Sequence, residues 1–235
     1  MKVDFTPDPN CSFCPRLAAF RLENRAKFAN GFNAPVPAFG PLSARILIVG
    51  LAPGLKGANL TGRPFTGDWA GDLLYETLLK YNLASGQYLE RADDGLELVN
   101  CRIANAVRCV PPQNRPEPTE IRSCQQFLEA ELLRLAEVKV IVALGRIAHY
   151  AVCSVLRLKK SAHPFHHGGF YTAPFSRNLL ARANAEDSQE PPQGQRIIIF
   201  VSSYHCSRYN TNTGVLTRKM FEDVIAQAKT LALGT

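Results

Sequence analysis

Four mostly apolar runs set the rhythm of the chain: Ile46–Leu51, Val99–Cys109, Val138–Leu144 and Ile197–Val201. Short runs without polar alternation suit strands covered on both faces, as in a parallel sheet. Between them the spacing of apolar residues changes to a helical period. Leu73, Leu74, Leu78 and Leu79 predict a helix over about 72–81. Pro116-Glu117-Pro118-Thr119 opens a longer one carrying Ile121, Cys124, Phe127, Leu128 and Leu132, with acids at its positive end. A third helix is predicted over about 147–156. A closing amphipathic helix, about 216–232, follows with Leu216, Met220, Val224, Ile225 and Ala228. Strands alternating with helices predict an α/β fold: a three-layer αβα sandwich around a central four-stranded, mainly parallel sheet.

Two regions break the rhythm. Residues 1–40 show little periodicity beyond a short helical pattern after Cys14, and prolines and glycines make 31–41 an irregular connector. Residues 159–195 read as a long loop, whose polar, proline-containing second half, 181–195, is expected to be a flexible surface insertion. A single domain over 1–235 is expected, with the N-terminal segment tied on. In such sheets ligands bind beyond the carboxyl ends of the strands. The segments at those ends are Gly50–Asp68, Asn105–Asn114 and Tyr204–Asn210. They are also the chemically unusual segments: a loop with five glycines and no Walker lysine, a double proline followed by Gln113-Asn114, and Tyr204-His205 leading to Asn210.

Composition narrows the classes. No apolar run approaches the length of a membrane span, and the N-terminus has no apolar signal core, so an intracellular, cytoplasmic protein without membrane association is expected. A net charge of +7 permits an anionic partner such as nucleic acid. Of seven cysteines, Cys11-x2-Cys14, Cys109 and Cys124 form a set of four soft thiolates, suited to zinc or an iron–sulfur cluster, which spacing does not separate. Cys101 and Cys153 read as core.

Four motifs then become recognisable in order: Gly50-Leu51-Ala52-Pro53-Gly54; Thr61-Gly62-Arg63-Pro64-Phe65-Thr66-Gly67-Asp68; Asn105-Ala106-Val107-Arg108-Cys109-Val110-Pro111-Pro112-Gln113-Asn114; and Ser203-Tyr204-His205-Cys206-Ser207-Arg208-Tyr209-Asn210. With the four cysteines they resemble the family-five, type-b uracil-DNA glycosylases of bacteria and archaea. The resemblance implies a monomeric base-excision repair enzyme that binds DNA. It would hydrolyse the N-glycosidic bond of uracil, and of other deaminated bases such as hypoxanthine, to leave an abasic site. It also implies a 4Fe–4S cluster on Cys11, Cys14, Cys109 and Cys124.

On this resemblance Phe65 stacks on the extruded base and Asn105 reads its edge. Gly50, Ala52, Gly54 and Asn210 complete the base site. His205 supplies a donor to the departing base. Leu51-Ala52 leaves no polar group in the first motif to activate water, so Asp68, with Asn114 second, becomes the candidate to position it; helix capping is the competing role for Asp68. No lysine lies in the motifs as a Schiff-base nucleophile, which implies a monofunctional enzyme. The family usually has His-Pro-Ser where this chain has His205-Cys206-Ser207. Arg63, Arg108, Arg115, Arg208 and Arg218 are candidate phosphate contacts. His163, His166 and His167 form a loop cluster whose expected role is solvated or DNA-facing rather than metal-binding. The alternatives are the sister family-four glycosylases, which carry an acid in the first motif, and a non-catalytic iron–sulfur protein that binds nucleic acid.

Overall fold

The computed structural model describes residues 6–176 and 196–234. A five-stranded sheet lies at its centre, in the order β4 (Cys101–Asn105), β1 (Ile46–Gly50), β5 (Val140–Leu144), β7 (Arg196–Ser203), β6 (Phe170–Phe175). Strands β1, β4, β5 and β7 are mutually parallel. The remaining strand, β6, runs antiparallel along the β7 edge.

Side chains alternate across each strand, and the core divides accordingly. Ile46, Ile48, Ile103, Val140 and Val142 pack on one face against α3 (Trp69–Lys80) and α7 (Arg218–Leu233). Leu47, Val49, Ala104, Ile141 and Ala143 pack on the other, against α4 (Pro118–Arg134) and α5 (Arg146–Val155). Both faces are dry, which is why these strands read as uninterrupted apolar runs.

The helix starts follow from local chemistry. Asp68 caps α3, accepting from the amides of Ala70 and Gly71 at 3.1 and 3.2 Å. Glu117 and Glu120 form a capping box on α4, behind a proline in its first turn. Thr217 caps α7 and Gly234 closes it in the left-handed region. At the other end of the chain, α1 (Pro15–Lys27) is joined to α4 by Arg16, which bonds both carboxylate oxygens of Glu120 at 2.8 and 2.7 Å. The connector after α1 runs along the β4 edge, with Phe39 bridged to Ile103 and the Val36 amide donating to Arg108 at 2.7 Å.

Several expectations need correction. The sheet has five strands, because Phe170–Phe175, inside the region read as loop, alternates exposed and buried positions as an antiparallel edge strand does. The second strand occupies only 101–105. Asn100 takes a positive φ before it, and the chain leaves the sheet at Ala106 to form the site. A small hairpin of β2 (Ala84–Ser85) and β3 (Glu97–Leu98), and the short helices α2 (Ala58–Thr61) and α6 (Arg208–Asn212), carry too little periodicity to be read. The expected insertion at 181–195 lies outside the described residues.

The loops after β1 and β5 leave the sheet in opposite directions, one to α3 and the other to α5. Where adjacent parallel strands diverge in this way, a crevice opens beyond their carboxyl ends.

Candidate active site

Beyond the carboxyl ends of the strands, between the loops after β1, β4 and β7, lies a cavity of about 290 Å³, near the lower end of the range for small-ligand sites, roughly 300–1,000 Å³. Leu51, Ala52, Gly54, Phe65, Asp68, Asn105, Asn114 and His205 line it, so most of the residues singled out in the sequence converge on one space. Gly50, expected in the base site, does not line the cavity but lies beneath Asn105 and Phe65. A Cβ there would lie 2.4 Å from Asn105 Oδ1 and 2.5 Å from Phe65 Cζ, so the two side chains can meet only over glycine. Asn210 does not line the cavity. Its amide donates to the His205 carbonyl at 2.8 Å, which gives it a positioning role.

Asn105 ends β4 almost fully enclosed, and its Oδ1 has no hydrogen-bond partner. A buried amide oxygen left unpaired costs free energy, on the order of 1–3 kcal/mol, which a donor brought into the cavity would relieve. Phe65 is buried with φ +53°, a conformation uncommon for a bulky residue. Its carbonyl presses on α3 at Gly71, where a Cβ would come within 1.9 Å of it. The strained loop is thus held against the helix by a position that tolerates no side chain.

The two carboxylate oxygens of Asp68 have different surroundings. Oδ1 caps α3. Oδ2 faces the Gly54–Gly57 backbone and takes no hydrogen bond among the described residues. Burial raises the Asp68 pKa above the usual carboxylate value, opposed by the two amides. His205 lies opposite, its ring tilted 27° from that of Phe65 with centroids 5.9 Å apart. Burial pushes its pKa down to about 4, so the imidazole is neutral at pH 7. Cys206, in the place of the family's usual proline, is buried and donates through Sγ to the Ala70 carbonyl at 3.4 Å, joining the His205 loop to α3. Asn114 reaches the rim from a turn in which both it and Gln113 have positive φ.

The rim also carries residues that the sequence reading left aside. Trp69, the first residue of α3, lines the mouth and is 48% exposed. Its indole donates to Thr211 Oγ1 at 3.0 Å, and the Arg208 guanidinium sits 5.5 Å from its ring. A lone tryptophan after an N-cap gives no periodic signal, and only the fold brings α6 to it.

Not every candidate phosphate contact is free. Arg63 is buried, bonds both oxygens of Asp94 at 2.7 Å, and lies against Phe39, Tyr75 and Tyr88. Arg108 is buried 3.4 Å from Glu131, which also pairs with Arg102. Arg218 pairs with Glu76 at 2.7 Å. Arg115 and Arg208 remain exposed. The histidine loop packs on β7: His167 stacks on Tyr204 and accepts from its amide at 3.2 Å, while the His163 carbonyl meets buried His149.

Cys11, Cys14, Cys109 and Cys124 line a second, smaller cavity between α1, α4 and the turn after Arg108. Burial pushes the Cys109 and Cys124 thiols up, to about 11 and 12, and also raises Cys14. Thiols in such surroundings become thiolates only beside a strong positive centre. Arg21 points a guanidinium N–H at Cys109 Sγ, 3.5 Å away, and the Arg108 amide lies 3.3 Å from Cys124 Sγ. Among the described residues no group of three or more His, Cys, Asp or Glu side chains is placed to hold a single metal ion.

The Uracil DNA glycosylase superfamily matches residues 37–229 of this sequence. The chain belongs to that superfamily. A type-5 uracil-DNA glycosylase of Thermus thermophilus is 46% identical over 94% of each chain. Those of Pyrobaculum aerophilum and Mycobacterium leprae are 35% and 38% identical, over 93% and 94% of this chain and 88% and 91% of their own. A type-4 enzyme of Archaeoglobus fulgidus is 36% identical, but over only 53% of this chain and 55% of its own. Full-length similarity therefore lies with type 5, as the apolar Leu51-Ala52 pair implied.

Proposed function

We propose that the cavity receives uracil extruded from DNA and that the enzyme hydrolyses its N-glycosidic bond, leaving an abasic site. The observation that carries this reading is the unpaired, buried Asn105 amide set beside Phe65, Asp68 and neutral His205 in one crevice. A base laid on Phe65 would stack on its face and exchange edge hydrogen bonds with Asn105, which offers both a donor and an acceptor. As the bond to C1′ breaks, negative charge moves onto the base and positive charge onto the sugar. A neutral imidazole donates to the developing anion at a base oxygen without having to ionise. The Asp68 carboxylate stabilises the cationic sugar and orients the water that adds to C1′, with Asn114 as a second water ligand. No lysine lines the cavity among the described residues, so a Schiff base with the sugar has no nucleophile there and the reaction ends at the abasic site.

Hypoxanthine presents the same N–H and carbonyl pattern as uracil, so an amide that reads one accepts the other. We therefore extend the substrate range to deaminated bases of that pattern. The four cysteines are proposed to hold a 4Fe–4S cluster. Their all-thiolate donor set and the N–H groups directed at two of the sulfurs suit it. A cluster also spreads its cysteines more widely than one zinc ion does. The cluster's part is to bind α1 and α4 together beside the Asn105–Asn114 segment. The enzyme is further proposed to act as a monomer inside the cell.

Incubating the protein with DNA carrying one uracil or one hypoxanthine, followed by alkali, tests the reading. Strand scission at the altered base is expected. Intact strands with uracil would overturn it, and scission with uracil alone would restrict it to that base.

A further inference from the structure

The mouth of the cavity carries a second aromatic at a different depth from the first. Phe65 is 7% exposed and sits inside; Trp69 is 48% exposed and sits at the edge, on the same lining. The indole is held in place rather than left loose: Thr211 Oγ1 accepts from its Nε1 at 3.0 Å, and this bond joins α3 to α6. Arg208, the first residue of α6, lines the same mouth with its guanidinium 5.5 Å from the ring, and no carboxylate pairs with it among the described residues. A fixed, half-exposed indole with an unpaired guanidinium over one of its faces combines what single-stranded nucleic acid requires, the other π-face for a base and a cation for a phosphate.

We propose that Trp69 and Arg208 form a ledge for the nucleotide next to the target on the same strand, Trp69 stacking its base and Arg208 binding its phosphate. The proposal rests on the reading that the cavity takes an extruded base. In duplex DNA the flanking base keeps its own stack and pairing partner. In single-stranded DNA it has no pairing partner and only weak, dynamic stacking on its remaining neighbour, so the ledge supplies order there and acts chiefly on single-stranded substrate.

Trp69 is the only tryptophan in the chain, so its emission reports the ledge directly. The test titrates the purified protein with a single-stranded oligonucleotide carrying a tetrahydrofuran abasic analogue, and follows tryptophan emission alongside the anisotropy of a labelled strand. Quenching that saturates with binding is expected; binding without any change in emission overturns the proposal. In the companion measurement, Trp69→Ala should raise KM for uracil release from single-stranded DNA about tenfold. That corresponds to about 1.4 kcal/mol, the scale of one base stack, with kcat and the duplex reaction changed far less. Trp69→Phe, which keeps a ring but loses the bond to Thr211, should recover most of the loss. Arg208→Gln should shallow the salt dependence by about 0.7 in slope, as one phosphate contact predicts. An unchanged KM for Trp69→Ala, or an equal loss on both substrates, overturns the ledge. Absence of uracil release by the unmodified protein would instead overturn the functional reading, while the quenching measurement would still decide whether Trp69 stacks on DNA.

Discussion

Asp68 caps α3 with one oxygen and is proposed to act on the sugar and water with the other, and a conservative change separates the two. Asparagine caps a helix about as well as aspartate but carries no charge. Asp68→Asn should therefore keep the melting temperature within a few degrees while lowering uracil release by about 100-fold or more, the scale of lost base catalysis. His205→Ala should cost on the order of 100-fold for a missing donor to the leaving base. Because burial raises the Asp68 pKa, the acid limb of activity should fall at a pH above the usual carboxylate range. His205 acts on stability with a defined sign. The unfolded chain takes up its proton near 6.5 and the folded chain only near 4, so the folded state loses stability as pH falls through that window. Melting scans of the enzyme and of His205→Gln between those pH values check this, and the variant should show the flatter profile.

The elements place these residues through contacts that admit little variation. Gly71 on α3 is the clearest case, since an added Cβ would meet the Phe65 carbonyl. Gly71→Ala should destabilise by about 1–3 kcal/mol through overpacking and reduce uracil release with it, as thermal melts and the excision assay will show. Glu131 on α4 holds both Arg102 of β4 and Arg108 at the base of the cysteine site. Removing its charge strands two buried guanidinium groups, so Glu131→Gln should cost about 3–5 kcal/mol in a denaturant titration. The four buried parallel strands were legible because their apolar runs and the capping signals at Asp68 and Pro118 point the same way. The edge strand β6 was not, since half its residues face water and a proline interrupts it. In the site, glycine and motif residues could be read one by one. The fates of Arg63 and Arg108 could not, because their partners Asp94 and Glu131 lie 31 and 23 residues away. Trp69 escaped for the same reason, since its partner Thr211 lies 142 residues away; Asn210 was singled out but read as touching the base, whereas its amide bonds the His205 carbonyl within its own loop.

For the whole molecule, the arrangement separates chemistry from architecture. The crevice between the loops after β1, β4 and β7 gathers the groups proposed to bind and cleave, while the proposed cluster ties α1 to α4 on the far side of the Asn105–Asn114 segment. Protein purified without oxygen should contain iron and acid-labile sulfide and be brown. Stripping the metal should lower the melting temperature, whereas a colourless protein loaded with zinc would contradict the cluster. The reaction itself is decided most directly by one comparison. The unmodified enzyme and Asp68→Asn are incubated with a strand carrying a single uracil and then treated with alkali. Scission at the uracil is expected with the enzyme and almost none with the equally folded variant. Intact strands with the enzyme, or equal scission by both proteins, would contradict the proposed reaction.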